Sequence, residues 1–357
     1  MKLHAPGYFV RSRVRPGAVL LLAAAALLPA PGAGAAEVNL YSTREAGLLQ
    51  PLLAAFTEKT GVKVNTVFLS TGLAERVAAE GASSPADVLM VVDIGNLADL
   101  VKRGVTQPVR SAALEEAIPP SLRDPDGNWV ALSLRARAIF VARDRVAKDR
   151  TDDPAMTYEA LADPRWHGKI CMRSGQHPYN TALFAAMIAK QGEPATGEYL
   201  KSLKANLARR PGGGDRDVAR DILAGICDAG LSNTYYGGLM LSGSGGPDQK
   251  RWAEAVRVIL PTFKDGAGTH ANVSGAALAR HAPNRAEALR LLEFLVTPDA
   301  QRLYANANFE YPVRQGVPLD PIVAGFGTLK VDPTPLGAIA AKREEASLLV
   351  DRIGFDR

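Results

Sequence analysis

The chain has 357 residues, of which 47% are hydrophobic and 22% charged, a composition typical of a folded globular protein rather than a disordered one. Its formal net charge is +5, but the first 36 residues hold four basic residues and no acidic one, which leaves 38 basic against 37 acidic residues in the other 321. Nucleic-acid-binding surfaces keep an excess of Lys and Arg. The near-neutral remainder therefore argues against a nucleic-acid partner, and its length predicts about two domains.

The first 36 residues have the three-part pattern of a secretory signal peptide. Residues 1–15 are basic, residues 18–30 are apolar, and residues 31–36 are small or turn-forming. The apolar run is shorter than the roughly 20 residues that span a bilayer, which disfavours the alternative of a membrane anchor, and no Cys near the cleavage point could carry a lipid. We therefore predict cleavage near Ala35 or Ala36 and export of a soluble protein.

Two cysteines, Cys171 and Cys227, remain after that cleavage and enclose 55 residues. In an oxidising compartment a single disulfide is the simple pairing, and it would stabilise the fold by about 4 kcal/mol through the loop that it closes. The chain has no Cys-x-x-Cys motif. A structural bridge is therefore favoured over redox chemistry.

The predicted secondary structure alternates between strands and helices. In the first third, hydrophobic periodicity predicts strands over 37–41, 62–69 and 87–92 and helices over 47–59, 73–80 and 96–103. A proline-rich stretch at 108–127 interrupts this pattern. Beyond it we predict an extended segment at 132–141, helices at 180–189, 197–207 and 215–224 (with Asp215 as N-cap), strands at 229–232 and 256–260, two consecutive helices within 285–307 and a last helix near 337–352.

The alternation in the first third predicts a parallel sheet with helices on both faces, and the second set of elements makes the prediction an α/β fold of two lobes. Ligands of such sheets bind beyond the carboxyl ends of the strands. No zinc spacing, serine-nucleophile motif or complete phosphate loop is present in the sequence. The missing catalytic motifs favour a binding protein over an enzyme.

The distinctive motif is Asn-Thr-Tyr-Tyr-Gly-Gly at residues 233–238, directly after a predicted strand. Neighbouring side chains on a regular strand point to opposite faces, so Tyr235 and Tyr236 would converge only on an irregular turn, which the two glycines permit. Tyr179 lies in a second predicted strand-to-helix loop shortly after Cys171. A Cys171–Cys227 bridge would bring the three phenols to one end of the sheet.

Three convergent phenols suit a hard and highly charged cation. A free phenol has a pKa near 10, so it ionises at neutral pH only when a strong Lewis acid stabilises the phenolate. Fe(III) is the common biological ion that prefers phenolate oxygen. For the Tyr235–Tyr236 pair alone, aromatic packing or stacking on a sugar stays open as an alternative.

These motifs occur in a frame that resembles the ferric-ion-binding proteins of bacterial ABC transporters, in the subgroup with a Cys before each tyrosine motif. The matching stretches run over nearly the whole exported chain: Leu40-Tyr-Ser-Thr-Arg-Glu45, Ser70-Thr-Gly72, Ser84-Pro-Ala-Asp-Val88, Leu132-Ser-Leu-Arg-Ala-Arg137, Gly168-Lys-Ile-Cys171, Gly213-Gly-Asp-Arg216, Asn233-Thr-Tyr-Tyr236, Gly268-Thr-His-Ala-Asn-Val-Ser-Gly275 and Glu310-Tyr-Pro-Val313.

The resemblance implies a type II periplasmic binding protein fold, in which two α/β lobes joined by a crossing-strand hinge enclose an interlobe ligand cleft. We predict lobe 1 at residues 37–134 plus about 261–315, lobe 2 at about 135–260, and a C-terminal helical tail at 316–357 that packs on the lobes. The resemblance also implies a monomer in the periplasm.

By the same resemblance, Tyr179, Tyr235 and Tyr236 are phenolate ligands of Fe(III). A synergistic carbonate or bicarbonate would complete the site, with Arg44 and Arg137 as clamps, because the planar guanidinium meets an oxyanion through two hydrogen bonds. The same set of predicted anion-binding residues includes further hydrogen-bonding side chains: Asn233, Ser70 and Thr71.

The sequence departs from the family pattern at two places. Glu45 and Ala46 stand where many relatives have His or His-Tyr, and Leu239 stands where some have Arg. Glu45 would either coordinate the metal through a carboxylate oxygen or begin a helix as a favourable N-terminal acid. Tyr41 is predicted to pack under the cleft rather than bind the ion.

The predicted function is capture of Fe(III) and its delivery to an ABC transporter inner-membrane permease, with no reaction catalysed. One alternative keeps the fold but binds an organic or inorganic oxyanion without metal, through Arg44, Arg137 and Asn233. A second alternative is an exported metal-dependent hydrolase with Glu45 as its base.

Overall fold

A computed structural model describes residues 36–147 and 156–357. The predicted signal peptide, residues 1–36, lies outside the described residues except for Ala36. Within these two ranges, no helix is long and apolar enough to cross a membrane.

The first third of the fold alternates strand and helix as predicted. Its elements are β1 (Glu37–Ser42), α1 (Ala46–Thr60), β2 (Lys63–Phe68), α2 (Leu73–Glu80), β3 (Val88–Val91) and α3 (Ile94–Lys102). The apolar stripe of α1 (Leu49, Leu52, Leu53 and Phe56) is buried, and the helix ends at Gly61, whose φ of 71° suits glycine. Because such a helix buries one periodic face, its hydrophobic pattern predicts it from the sequence.

The remainder contains both longer and shorter elements. They are β4 (Thr106–Gln107), α4 (Ala112–Ala117), β5 (Val130–Ala142), β6 (Ile170–Cys171), α5 (Pro178–Ala205), α6 (Asp215–Leu223), β7 (Ala229–Asn233), α7 (Thr234–Leu241), α8 (Pro247–Glu254), β8 (Val256–Ile259), β9 (Ala271–Ala279), α9 (Arg285–Leu295), α10 (Pro298–Asn308), β10 (Tyr311–Pro312), α11 (Pro321–Ala324), α12 (Leu336–Ala341) and α13 (Arg343–Ile353). The two predicted helices at 180–189 and 197–207 are both present within α5, where the non-helical Gly192 (φ 82°, ψ 162°) separates them.

The strands follow the order β2-β1-β3-β9-β5-β7-β6. β1 is parallel to β2 and β3, and β6 is parallel to β7, but β9 is antiparallel to both β3 and β5, and β5 is antiparallel to β7. The three strands of the first third, for which the alternation predicts a parallel sheet, are parallel as predicted. The antiparallel strand β9 was not predicted, because its small residues are all buried and show no alternation.

Strand β5 joins the two parts of the sheet, β2-β1-β3-β9 on one side and β7-β6 on the other. Its residues 130–136 pair with β9, whereas residues 137–142 pair with β7 and β8. All thirteen of its residues are buried, so the strand lies in the centre of the molecule. The division into two lobes at the bounds given above stays a prediction.

The predicted disulfide is present between Cys171 and Cys227, whose Cα atoms lie 5.8 Å apart. Cys171 ends β6, and Cys227 lies two residues before β7, the parallel neighbour of β6. The bridge therefore joins the chain at the carboxyl end of one strand to the segment that enters the next.

Two local predictions were wrong. The N-cap of α6 is Gly214, whose backbone N–H donates to the Asp217 carboxylate (2.7 Å), and not Asp215. Residues 234–241 form a helix rather than an irregular turn. Gly238 is needed there for packing, because a Cβ atom at this position would lie 2.4 Å from the Cβ of Phe309.

Candidate metal site

The three tyrosines lie in the first turns of two helices. Tyr179 is the second residue of α5, and its backbone N–H donates to Nδ1 of His177, the N-cap (3.2 Å). Tyr235 and Tyr236 are the second and third residues of α7, which begins where β7 ends. The helix starts thus direct three phenols from two neighbouring strands toward one place.

The structure brings these phenols together. The hydroxyl oxygens of Tyr179 and Tyr235 are 3.2 Å apart, and the ring centroids of Tyr235 and Tyr236 are 4.1 Å apart. Tyr235 is 8% exposed, whereas Tyr179 and Tyr236 are partly exposed. The group therefore has one buried member and two that reach the surface.

Burial shapes the ionisation of the pair on α7. Desolvation, followed by the neighbouring phenols, raises the pKa of Tyr235 well above its ordinary value. Desolvation, followed by Tyr179 and Asp215, also raises the pKa of Tyr236. Both phenols are therefore protonated at neutral pH.

Three arginines contact the rings of these tyrosines. The guanidinium carbons of Arg135 and Arg173 lie 5.4 and 5.2 Å from the ring centroid of Tyr179, and that of Arg216 lies 5.4 Å from the ring of Tyr236. A nearby cation favours the ionised form of a phenol. Sequence reasoning did not identify these arginines as site residues; their occurrence inside or beside the matched motifs is the signal that could have indicated them.

Arg137, predicted as an anion clamp, lies in a buried network. Its terminal nitrogens donate to Asp215 (2.6 Å), to the side-chain oxygens of Asn180 (2.6 Å) and Asn233 (3.2 Å), and to the Leu231 carbonyl (3.3 Å). The Asp215 carboxylate also accepts from the backbone N–H of Asn233 (2.8 Å). This network joins the starts of α5 and α6 to the end of β7, so Arg137 and Asn233 hold together the elements that carry the tyrosines.

Arg44, the other predicted clamp, pairs with the buried carboxylate of Glu310, which also accepts from Ser133. Its nitrogens donate further to Ser274 (2.9 Å) and Asn308 (3.2 Å). Burial alone would lower the pKa of Arg44, but the charge of Glu310, its hydrogen bond and the nearby phenols of Tyr304 and Tyr235 together more than offset it, so the guanidinium stays charged. The Nε atom of Arg44 is buried and has no hydrogen-bond partner in the described part of the chain.

A cavity of about 480 Å³ lies beside Tyr179. Ser70 and Thr71 line one part of it, and His177 and Tyr179 line another. The structure therefore brings these two predicted anion ligands into the same cavity as one of the phenols.

Glu45 and Tyr41 lie outside this cavity lining. Glu45 is exposed, stands immediately before α1 and makes no capping hydrogen bond with its side chain. Tyr41 is buried, and its hydroxyl donates to Glu80 (3.2 Å) with the guanidinium of Arg76 over its ring. The prediction that Tyr41 packs rather than binds agrees with these contacts, and metal coordination by Glu45 stays a prediction.

Among residues 36–147 and 156–357, no group of three or more His, Cys, Asp or Glu side chains is placed to hold a metal ion. Burial, followed by Arg173, lowers the pKa of His177 to about 3, so this imidazole is neutral. A cation at this place would consequently depend on the phenol oxygens.

Comparison with known proteins identifies the family of this chain and its relatives. Residues 41–302 match the model of the bacterial extracellular solute-binding protein family. The chain is 42% identical to iron uptake protein A2 of Synechocystis over 322 residues, which cover 89% of this chain and 90% of that protein.

Two solved structures share the whole architecture. A Bordetella ferric binding protein is 58% identical with a TM-score of 0.84, over 90% of this chain and 100% of that one. A Trichodesmium protein in complex with iron and citrate ligands is 38% identical with a TM-score of 0.84, over 89% and 99%. These likenesses confirm the periplasmic binding protein fold and the resemblance seen in the motifs. The chain belongs to the bacterial extracellular solute-binding proteins, a family of transport proteins rather than of enzymes.

Proposed function

We propose that this chain captures Fe(III) in the periplasm through the phenolates of Tyr179, Tyr235 and Tyr236 and delivers it to an ABC permease of the inner membrane. The observation that carries the proposal is the 3.2 Å separation of the Tyr179 and Tyr235 hydroxyl oxygens, which come from two different helix starts. The names of the relatives, an iron uptake protein and ferric binding proteins, support the same cargo.

The charges of the site suit a trivalent ion. Three phenolates would balance the 3+ charge, so the ion would not be an uncompensated charge in a partly buried place. The arginines against the rings favour ionised phenols. A closing motion of the two predicted lobes would then select the loaded form.

We also propose that a carbonate or another oxyanion fills coordination positions that the tyrosines leave open. Ser70 and Thr71 line the cavity that Tyr179 lines, and the Nε of Arg44 still has its hydrogen to donate. The complex of the Trichodesmium relative with iron and citrate supports an accompanying anion. Arg137 and Asn233 would act in this scheme by holding the tyrosine-bearing elements in place.

The metal-free oxyanion alternative has less support from the contacts. Its principal ligands, Arg44 and Arg137, are each paired with a buried carboxylate, Glu310 and Asp215 respectively. An anion would have to share guanidinium groups that are already neutralised, which weakens its attraction.

The test is an absorption titration of the exported chain with Fe(III) and bicarbonate. We expect a visible phenolate-to-iron charge-transfer band, and we expect Tyr235→Phe to shift or weaken it and to lower affinity by more than about 100-fold, the upper end of the loss caused by outer-shell changes at metal sites.

Tyr199→Phe is the matched control, because Tyr199 is also buried and its hydroxyl lacks a hydrogen-bond partner among the described residues. The control should leave the band unchanged. A wild-type chain that binds Fe(III) without any such band would refute the proposal, and so would a Tyr235→Phe variant with unaltered affinity.

A further inference from the structure

The penultimate residue of the chain, Asp356, is bound to the loop that carries Tyr179. Its carboxylate accepts hydrogen bonds from the Ser174 hydroxyl (2.6 Å), the Gly175 backbone N–H (2.7 Å) and the Gln176 backbone N–H (3.3 Å). Three donors from consecutive residues thus converge on one carboxylate. Hydrogen bonds to a charged acceptor are stronger than neutral ones, so this contact restrains the backbone of the loop.

Residues near Asp356 in the same tail also pack against this loop. A Cβ atom on Gly175 would lie 2.9 Å from Phe355 and 3.0 Å from Val350, so the tail lies directly against the loop backbone. Gln176 and Ser347 form two hydrogen bonds: Gln176 Nε2 donates to the backbone carbonyl of Ser347 (2.9 Å), and Ser347 Oγ donates to Gln176 Oε1 (2.7 Å).

The restrained loop leads directly into the metal site. From its other side, Asn180 Nδ2 donates to the carbonyls of Arg173 (3.1 Å) and Ser174 (3.0 Å). Arg173 itself contacts the Tyr179 ring and hydrogen-bonds Asp215 (3.2 Å). Because Tyr179 follows Gln176 by three residues, a displacement of the loop backbone is transmitted to the phenol.

We propose that Asp356 is a positioning residue for Tyr179, so that the C-terminal end of the chain sets how firmly the ferric ion is held. This inference rests on the proposed function, since it concerns the same ligand. Asp356 touches neither the phenol nor the ion; it acts through residues 174–176.

The experiment measures release of Fe(III) from the loaded, full-length exported chain to excess EDTA, followed by decay of the charge-transfer band. We expect Asp356→Asn to speed release by about tenfold, the factor that corresponds to the lower end of one charge-assisted hydrogen bond. Asp351→Asn is the matched control, since it makes the same change at an exposed position in the same tail, and it should release iron at the wild-type rate.

Two further variants separate positioning from general destabilisation. Ser174→Ala removes one of the three hydrogen bonds to Asp356, together with the bond that the Gln176 N–H donates to Ser174 Oγ (3.1 Å), and leaves the tail intact, so it should speed release in the same direction. In a Tyr179→Phe background, Asp356→Asn should cause no additional change, because the phenol that it positions is gone.

The inference is overturned if Asp356→Asn and Ser174→Ala both release iron at the wild-type rate, or if Asp356→Asn has the same effect with and without Tyr179. If Asp356→Asn does not fold, the comparison of Ser174→Ala in the two backgrounds decides in the same way. A wild-type chain without the band would refute the proposed function itself, which is a different result from a normal band with unaltered release.

Discussion

Two regions carry the residues predicted for the site, and they are built differently. The tyrosine region, the starts of α5 and α7, is anchored by the Cys171–Cys227 bridge and by the buried Arg137–Asp215 pair. The strand-end region, residues 43–45 and 70–72, presents mainly exposed or partly exposed side chains, and its buried member is Arg44. A ligand set that is already fixed loses less freedom on binding. If the proposed function is correct, we therefore expect the tyrosine region to supply most of the affinity and the strand-end region to tolerate more variation.

The largest effect on the tyrosine region is expected from removing the disulfide that anchors it. Cys171→Ser combined with Cys227→Ser should lower the free energy of unfolding by about 4 kcal/mol, because the unfolded chain regains the freedom of a 55-residue loop. Urea denaturation of the iron-free chain would measure this loss. If the double variant and the wild type unfold at the same urea concentration with the same slope, the bridge does not brace the tyrosine region.

Lowering the pH should weaken the binding of Fe(III) by the tyrosine region. Because the pKa values of Tyr235 and Tyr236 are raised, both phenols are protonated in the iron-free chain and each loses a proton to the metal. These two protons alone should make affinity for Fe(III) fall at least about 100-fold from pH 7 to pH 6, tenfold for each proton displaced. Competition with a chelator whose own protonation constants are known would measure the affinity at each pH. Tyr236→Phe should remove one proton from this dependence, and an affinity independent of pH would contradict it.

The smallest effect is expected in the strand-end region. Glu45 is exposed and precedes α1, so Glu45→Gln should cost about 0.3–1 kcal/mol of stability through the helix dipole and change Fe(III) affinity less than tenfold. Thermal unfolding and the absorption titration would measure both quantities. A larger fall in affinity, with a shifted charge-transfer band, would instead place the Glu45 carboxylate on the metal.

Much of this molecule could be predicted from its sequence, for identifiable reasons. The helices of the first third, α1, α2 and α3, bury one periodic face each, and α2 was predicted at its observed bounds. The convergence of the tyrosines followed from two short motifs and a cysteine pair. By contrast, β9 has a composition of small buried residues that fits several structures, so only its pairing with β3 and β5 defines it as a strand.

The side chains that support the site were the hardest to predict. Arg137 looked like an anion ligand because Arg suits oxyanions, yet its partners Asp215 and Asn180 come from distant parts of the chain. Asp356 is 177 residues from Tyr179 in the sequence. Contacts of this kind depend on how the helices pack, and a single sequence holds no local pattern for them.

The contact between Gly238 and Phe309 has a consequence for engineering. Phe309 is the one non-glycine residue with positive φ among residues 36–147 and 156–357, and it leaves no room for a side chain on Gly238 in the helix that carries Tyr235 and Tyr236. Its neighbour Glu310 holds Arg44. A designer who wished to retune the chain for another cation would have to leave α7 and this dipeptide untouched and diversify the strand-end region instead.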